Sequence, residues 1–107
     1  MIEVSSKEHF HDNIEEGVVL VDVYAPWCNP CKMIAPTLNE LEESFQNVKF
    51  LKVNADDLPE VAGDLGVMSL PTVLTFVEGE PVDRMVGFLP PETYREQLNK
   101  VVNKRTK

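Results

Sequence analysis

The sequence predicts an α/β fold: a single domain over residues 1–107, with a mixed sheet, helices on both faces and elements in the order β-α-β-α-β-α-β-β-α. Two observations carry this. Runs such as VVLVDVYA (18–25) are β-branched and nearly continuously apolar, as in a strand covered on both faces. They alternate with segments whose apolar residues recur at helical spacing. Length and composition agree, since 107 residues with 43% hydrophobic content can bury one core without disulfide staples or a structural metal. The two cysteines are therefore free for chemistry. No repeat, low-complexity tract or Pro/Gly/Ser-rich linker divides the chain.

Taken in order, a short strand at Ile2 to Val4 precedes SSKE (5–8), which fits a capping box with Ser5 accepting and Glu8 reaching back. The first helix then runs to about Ile14. The strand at 18–25 has one residue out of pattern, Asp22. After the cysteines, Ile34, Leu38, Leu41 and Phe45 mark an amphipathic helix, while Glu40, Glu42 and Glu43 fall elsewhere round it. Pro36 removes a hydrogen bond to the Lys32 carbonyl there, so a kink is expected. VKFLKVNA (48–55) is the next strand, and a short helix follows from Pro59, stopping at Gly66. TVLTFVEG and PVDRMVG read as a hairpin turning round Glu78, Gly79 and Glu80. The last helix starts after Pro90 and Pro91 and places Tyr94, Leu98, Val101 and Val102 on one face.

A net charge of −8 argues against a nucleic-acid surface, which needs clustered cations. Lys100, Lys104, Arg105 and Lys107 gather near the C-terminus, where a solvated helix end suits them better than a docking tail for anions. The acids Glu40, Glu42, Glu43, Asp56, Asp57 and Glu60 are read as a solubilising surface. The first residues lack the basic and apolar regions of a secretory signal, and no apolar run is long enough to span a membrane. With Met1 as natural start, a cytoplasmic protein is expected. Thiols there are kept reduced, so a close cysteine pair is catalytic or metal-binding before it is structural.

That pair lies in APWCNPCKMIAP (25–36), which also holds the only tryptophan. Cysteines three apart at a helix start share one face, and their spacing permits a disulfide. Cys28 meets the positive helix pole and unpaired backbone N–H groups, which favour thiolate and make it the nucleophile. Cys31, further into the first turn and more shielded, would resolve the mixed disulfide. Zinc is the alternative for any CxxC, but a closed site needs four ligands. The only histidines, His9 and His11, point to different helix faces and read as surface residues, so zinc would need ligands from a second chain. Asp22, in a doubly covered strand, loses hydration, which raises its pKa and suits it to trade protons near neutrality. An ion pair with Lys52 on the neighbouring strand is compatible with that.

WCNPCK, with VLVDVYA before it and GVMSLPT after it, resembles the thioredoxin family, whose usual pattern is WCGPCK, and the similarity covers essentially the whole chain. The resemblance implies a thioredoxin-like fold and a thiol-disulfide oxidoreductase that reduces protein disulfides through Cys28 and Cys31. It implies that Asp22 prepares Cys31 through water, and that Pro71 is cis and faces the cysteines; Lys52 is the candidate catalytic residue beside Asp22 on the neighbouring strand. It further implies that the Leu70 backbone pairs with an extended substrate segment. Trp27, Pro26, Met68, Val67 and Gly87 would form an apolar rim, although for Met68 and Val67 alone core packing is at least as good a reading. No bound cofactor is implied beyond the Cys28–Cys31 disulfide. The implied partners are disulfide-containing proteins and a reductase such as thioredoxin reductase as electron donor, and a monomer is the default.

The chain departs from the family pattern at Asn29, where Gly is usual, and at Tyr24, often Trp. Asn29 and Pro30 lie between the cysteines and tune their potential. An Asn29 amide donating to the Cys28 thiolate would shift the protein towards a milder oxidant or isomerase; its bulk would instead hinder docking. A redox-sensing or scaffold module that merely holds a partner is the reading from another class.

Overall fold

The computed structural model describes residues 1–105, with the backbone alone at Arg105. Its elements are β1 (Ile2–Glu3), α1 (Lys7–Ile14), β2 (Val18–Tyr24), α2 (Asn29–Ser44), β3 (Val48–Asn54), α3 (Pro59–Asp64), β4 (Thr72–Val77), β5 (Glu80–Val86) and α4 (Pro91–Arg105). That is the expected order. The strands make one five-stranded sheet, β1-β3-β2-β4-β5, in which β1, β3 and β2 are parallel and β4 and β5 antiparallel to their neighbours.

The central position of β2 explains its continuous apolar run, because both of its faces are covered. Val19, Val21 and Val23 pack with Phe10 and Ile14 of α1 and Val61 of α3. Val18 and Leu20 pack on the opposite side with Ile34, Leu38 and Leu41 of α2 and with Tyr94 and Leu98 of α4. Successive side chains of a strand point to opposite faces, so Asp22 shares the face of Leu20 and lies under α2. The one charge in the strand is thereby delivered beneath the cysteines.

Three local expectations are corrected. The cap of α1 is Ser6, whose hydroxyl accepts from the His9 N–H at 3.0 Å, while His9 Nδ1 accepts from the Ser5 N–H at 3.0 Å. His9 thus takes the reciprocal role expected of Glu8, one residue later, because an imidazole nitrogen can accept as a carboxylate does. The hairpin loop is Glu78 and Gly79 alone, at φ of 50° and 85°, closed by the Val77 and Glu80 pair. Positive φ at both positions gives the turn that matches strand twist, so Glu80 belongs to β5. Helix α4 begins at Pro91 itself, where a fixed φ suits the first helical position.

Helix α2 continues through Pro36. Among the described residues no helix is long and apolar enough to cross a membrane. Lys100 and Lys104 are exposed near the end of α4; the Arg105 side chain and Lys107 lie outside the described residues.

Candidate active site

Beyond β2 the chain turns sharply: Cys28 N–H donates to the Ala25 carbonyl at 3.1 Å, with Pro26 at the turn position where its fixed φ fits. Cys28 is then the N-cap of α2. Its sulfur accepts from the Cys31 N–H at 3.2 Å, standing where a Ser or Asp oxygen usually caps a helix. Pro30, exposed in the first turn, has no N–H to leave unsatisfied. In the disulfide the donor at the Cys28 sulfur is therefore backbone, and Asn29 is exposed.

Cys28 and Cys31 form a disulfide with their Cα atoms 5.3 Å apart. Both are 5% exposed, so the expectation that Cys31 is the more shielded of the two is not met. Leu70 and Tyr24 pack over the pair, which places both sulfurs in one small apolar cluster with Ala25. What separates the two cysteines is their surroundings. Cys28 caps the helix beside the exposed Trp27, whereas Cys31 lines a cavity of about 340 Å³ together with Asp22, Lys52, Tyr24, Pro26 and Ala35.

Asp22 is buried, and its Oδ1 has no protein hydrogen-bond partner. Burial pushes its pKa up to about 7; Lys52 acts against the rise and Glu3 adds to it. Lys52 is the register partner of Asp22 across β2 and β3, yet the expected ion pair is not formed. The ammonium lies 3.7 Å from Glu3 Oε1 and 5.2 Å from the Tyr24 ring centre. Glu3 is the partner of Lys52 on the other side of β3 and is exposed, so the ammonium meets it without leaving water. Tyr24 completes the group by donating its hydroxyl to both Glu3 oxygens, at 2.8 and 2.9 Å. Burial first, then Glu3, raises the Tyr24 pKa to about 12, so it remains a donor.

Trp27 is 68% exposed, and its indole N–H donates to Asp56 Oδ2 at 2.9 Å. Asp56 is set by an Asx turn in which Asn54 Oδ1 accepts from its N–H at 2.9 Å. Asp56 is a site residue that the sequence reading missed by assigning it to the solubilising surface. The available signal was an Asn two residues before an Asp at the end of a strand, Asn54-Ala55-Asp56.

The Leu70–Pro71 peptide is cis, as the resemblance implied. Gly87, at φ 90°, meets the site at Pro71, whose carbonyl accepts from the Gly87 N–H at 2.8 Å. Met68 is 97% exposed, which overturns core packing as its reading. Val67 is half-buried against the α1 and α3 side of the sheet, where that reading holds. His9 is committed to its helix cap, and among the described residues no group of three or more His, Cys, Asp or Glu is placed to hold a metal ion.

A disulfide whose first cysteine caps a helix just beyond the central strand of a mixed α/β sheet, with a buried carboxyl lining the same cavity as the second cysteine, defines a dithiol-disulfide exchange protein. Comparison with known proteins narrows this class. The thioredoxin family model matches residues 1–103. Thioredoxin of Bacillus subtilis is 46% identical over 97 residues, spanning 90% of this chain and 93% of the relative. Thioredoxin of Staphylococcus saprophyticus is 48% identical over 93 residues, covering 86% and 89%. Among solved structures, thioredoxin from Trypanosoma brucei brucei superposes with a TM-score of 0.91 at 29% identity, covering 96% of this chain and 91% of the other. The chain belongs to the thioredoxin family. It is a thiol-disulfide oxidoreductase, a protein disulfide reductase whose redox group is the Cys28–Cys31 pair.

Proposed function

We propose that Cys28 is the attacking thiolate, Cys31 the resolving thiol and Asp22 its proton acceptor, in a cytoplasmic monomer that needs no bound cofactor. The Cys28 thiolate attacks one sulfur of a substrate disulfide, forming a mixed disulfide and expelling the other sulfur as thiolate. Cys31, deprotonated towards Asp22 across the cavity that both line, attacks Cys28 Sγ and releases the second substrate sulfur. The substrate gains two electrons, and the protein is left with the Cys28–Cys31 disulfide. A reductase of the thioredoxin reductase type then restores the dithiol.

The observation that carries this assignment is the difference between the two sulfurs: Cys28 caps α2 and accepts an N–H, while Cys31 adjoins the cavity over Asp22. A cap donor and the positive helix pole stabilise charge on Cys28, and Asp22 serves only Cys31. Lys52 modulates Asp22 through its field. Leu70 and Pro71 offer main chain to an extended substrate segment, with Pro26, Trp27, Met68 and the adjoining Asn29, Pro30 and Gly87 as the surrounding surface. Alkylation of the reduced protein by iodoacetamide tests the assignment. Cys28 should be labelled first, with a pH midpoint below the ordinary thiol value of about 8.5; equal labelling of both cysteines would overturn it.

A further inference from the structure

Helix α3 ends in a Schellman motif: Gly66, at φ 69°, donates its N–H to the Gly63 carbonyl at 3.0 Å, and Val67 donates to Ala62 at 3.0 Å. That arrangement satisfies inner carbonyls and leaves those of Leu65 and Gly66 pointing onward. Arg84 of β5 takes both. Its Nη1 donates to the Gly66 carbonyl at 3.2 Å and its Nη2 to the Leu65 carbonyl. A guanidinium suits the place doubly, because its planar fork reaches two acceptors at once and its charge opposes the negative end of the helix.

The same strand holds the far end of the segment. Val86 pairs with Thr72, and Gly87 N–H donates to the Pro71 carbonyl at 2.8 Å. Between these points the Thr72 hydroxyl donates to the Ser69 carbonyl at 2.7 Å. Residues 65–72 are therefore strung between two grips on one strand, with Leu70 packed on the cysteine pair and Met68 projecting into solvent. We infer that Arg84 is a positioning residue for substrate docking: by clamping the Leu65 and Gly66 carbonyls it fixes how the 67–70 loop presents Met68 and the Leu70 main chain to a protein substrate. This rests on the reading that the loop docks substrate.

The experiment compares Arg84→Ala, Arg84→Lys and Met68→Asp in three assays: reduction of a disulfide-bonded protein, reduction of 5,5′-dithiobis(2-nitrobenzoic acid), and the reduction potential of the pair. Arg84 is exposed, so Ala should fold; Lys keeps the charge without the fork. Arg84→Ala should raise KM for the protein substrate about 3- to 10-fold with kcat within twofold, the size of one ordinary net hydrogen bond, because the lost clamp acts on docking through the loop and not by direct contact. Arg84→Lys should fall between. The rate with the small disulfide and the potential should stay unchanged, while amide hydrogen exchange at 67–70 quickens. A KM within twofold of wild type while Met68→Asp raises it would overturn the role of Arg84 alone. No KM change in either variant would overturn the docking reading with it. A matching fall with the small disulfide, or a shifted potential, would also overturn the inference, because Arg84 would then act on the cysteine pair or the fold at large.

Discussion

Replacing Asp22 with Asn should stabilise the oxidised protein, and by an amount that depends on pH. Burial lifts the Asp22 pKa from 3.8 to about 7, so the folded state keeps a proton that the unfolded chain releases. The sign follows. Below pH 3.8 both states are protonated and Asp22 carries no penalty; between 3.8 and about 7 the native protein loses stability as pH rises; above that the penalty is complete. At about 1.4 kcal/mol per pH unit the full penalty is about 4 kcal/mol. Asn carries its own burial cost, but that cost does not vary with pH, so the slope is the signal. Urea unfolding of both proteins at pH 3, 5.5 and 8.5 should give a difference that grows by about 2 kcal/mol over each step. A difference that stays flat across this range would refute the claim that burial perturbs Asp22.

Removing Lys52 as Lys52→Met takes away the group that lowers the Asp22 pKa, so the pH midpoint of the resolving step should move upward from its wild-type value; a downward move in the pH-rate profile would contradict this. Gly87→Ala has open space for its methyl group but must hold φ near 90°, so it should cost about 1–3 kcal/mol in chemical denaturation. An unchanged unfolding midpoint would show that the segment relaxes freely. Because the donor at Cys28 is backbone and Asn29 is exposed, Asn29→Gly should shift the reduction potential by less than about 30 mV, equivalent to about 1.4 kcal/mol. A larger shift, read by Trp27 fluorescence in thiol-disulfide buffers, would restore Asn29 as a determinant of redox direction.

The elements legible in the sequence were those with a period. Strand β2 announces itself by unbroken apolar residues, α2 by its four-three-four spacing, and Asp22 by being the one charge where none is expected. Pairings over long separations were not legible. Glu3 draws Lys52 away from Asp22 only because β3 lies between β1 and β2, an order that no local pattern encodes. Asp56 and Arg84 were hidden for the same reason, since an exposed charge reads as solvation until a distant indole or helix end is brought to it. The displaced cap of α1 is a different case: Ser5 with Glu8 fits the motif and Ser6 with His9 does not, and only the folded backbone brings the His9 N–H to Ser6 and the His9 ring to the Ser5 N–H. The equal shielding of the two cysteines was hidden too, since Leu70, which packs on their cluster, arrives from another part of the chain.

The most direct test of the exchange mechanism is to trap its intermediate. A reduced Cys31→Ser protein, mixed with a disulfide-bonded substrate and acid-quenched, should accumulate a mixed disulfide that mass spectrometry maps to Cys28, while Cys28→Ser under the same treatment forms none. An adduct on Cys31 in the Cys28→Ser protein, or continued turnover by either variant, would contradict the assignment of attacking and resolving thiols.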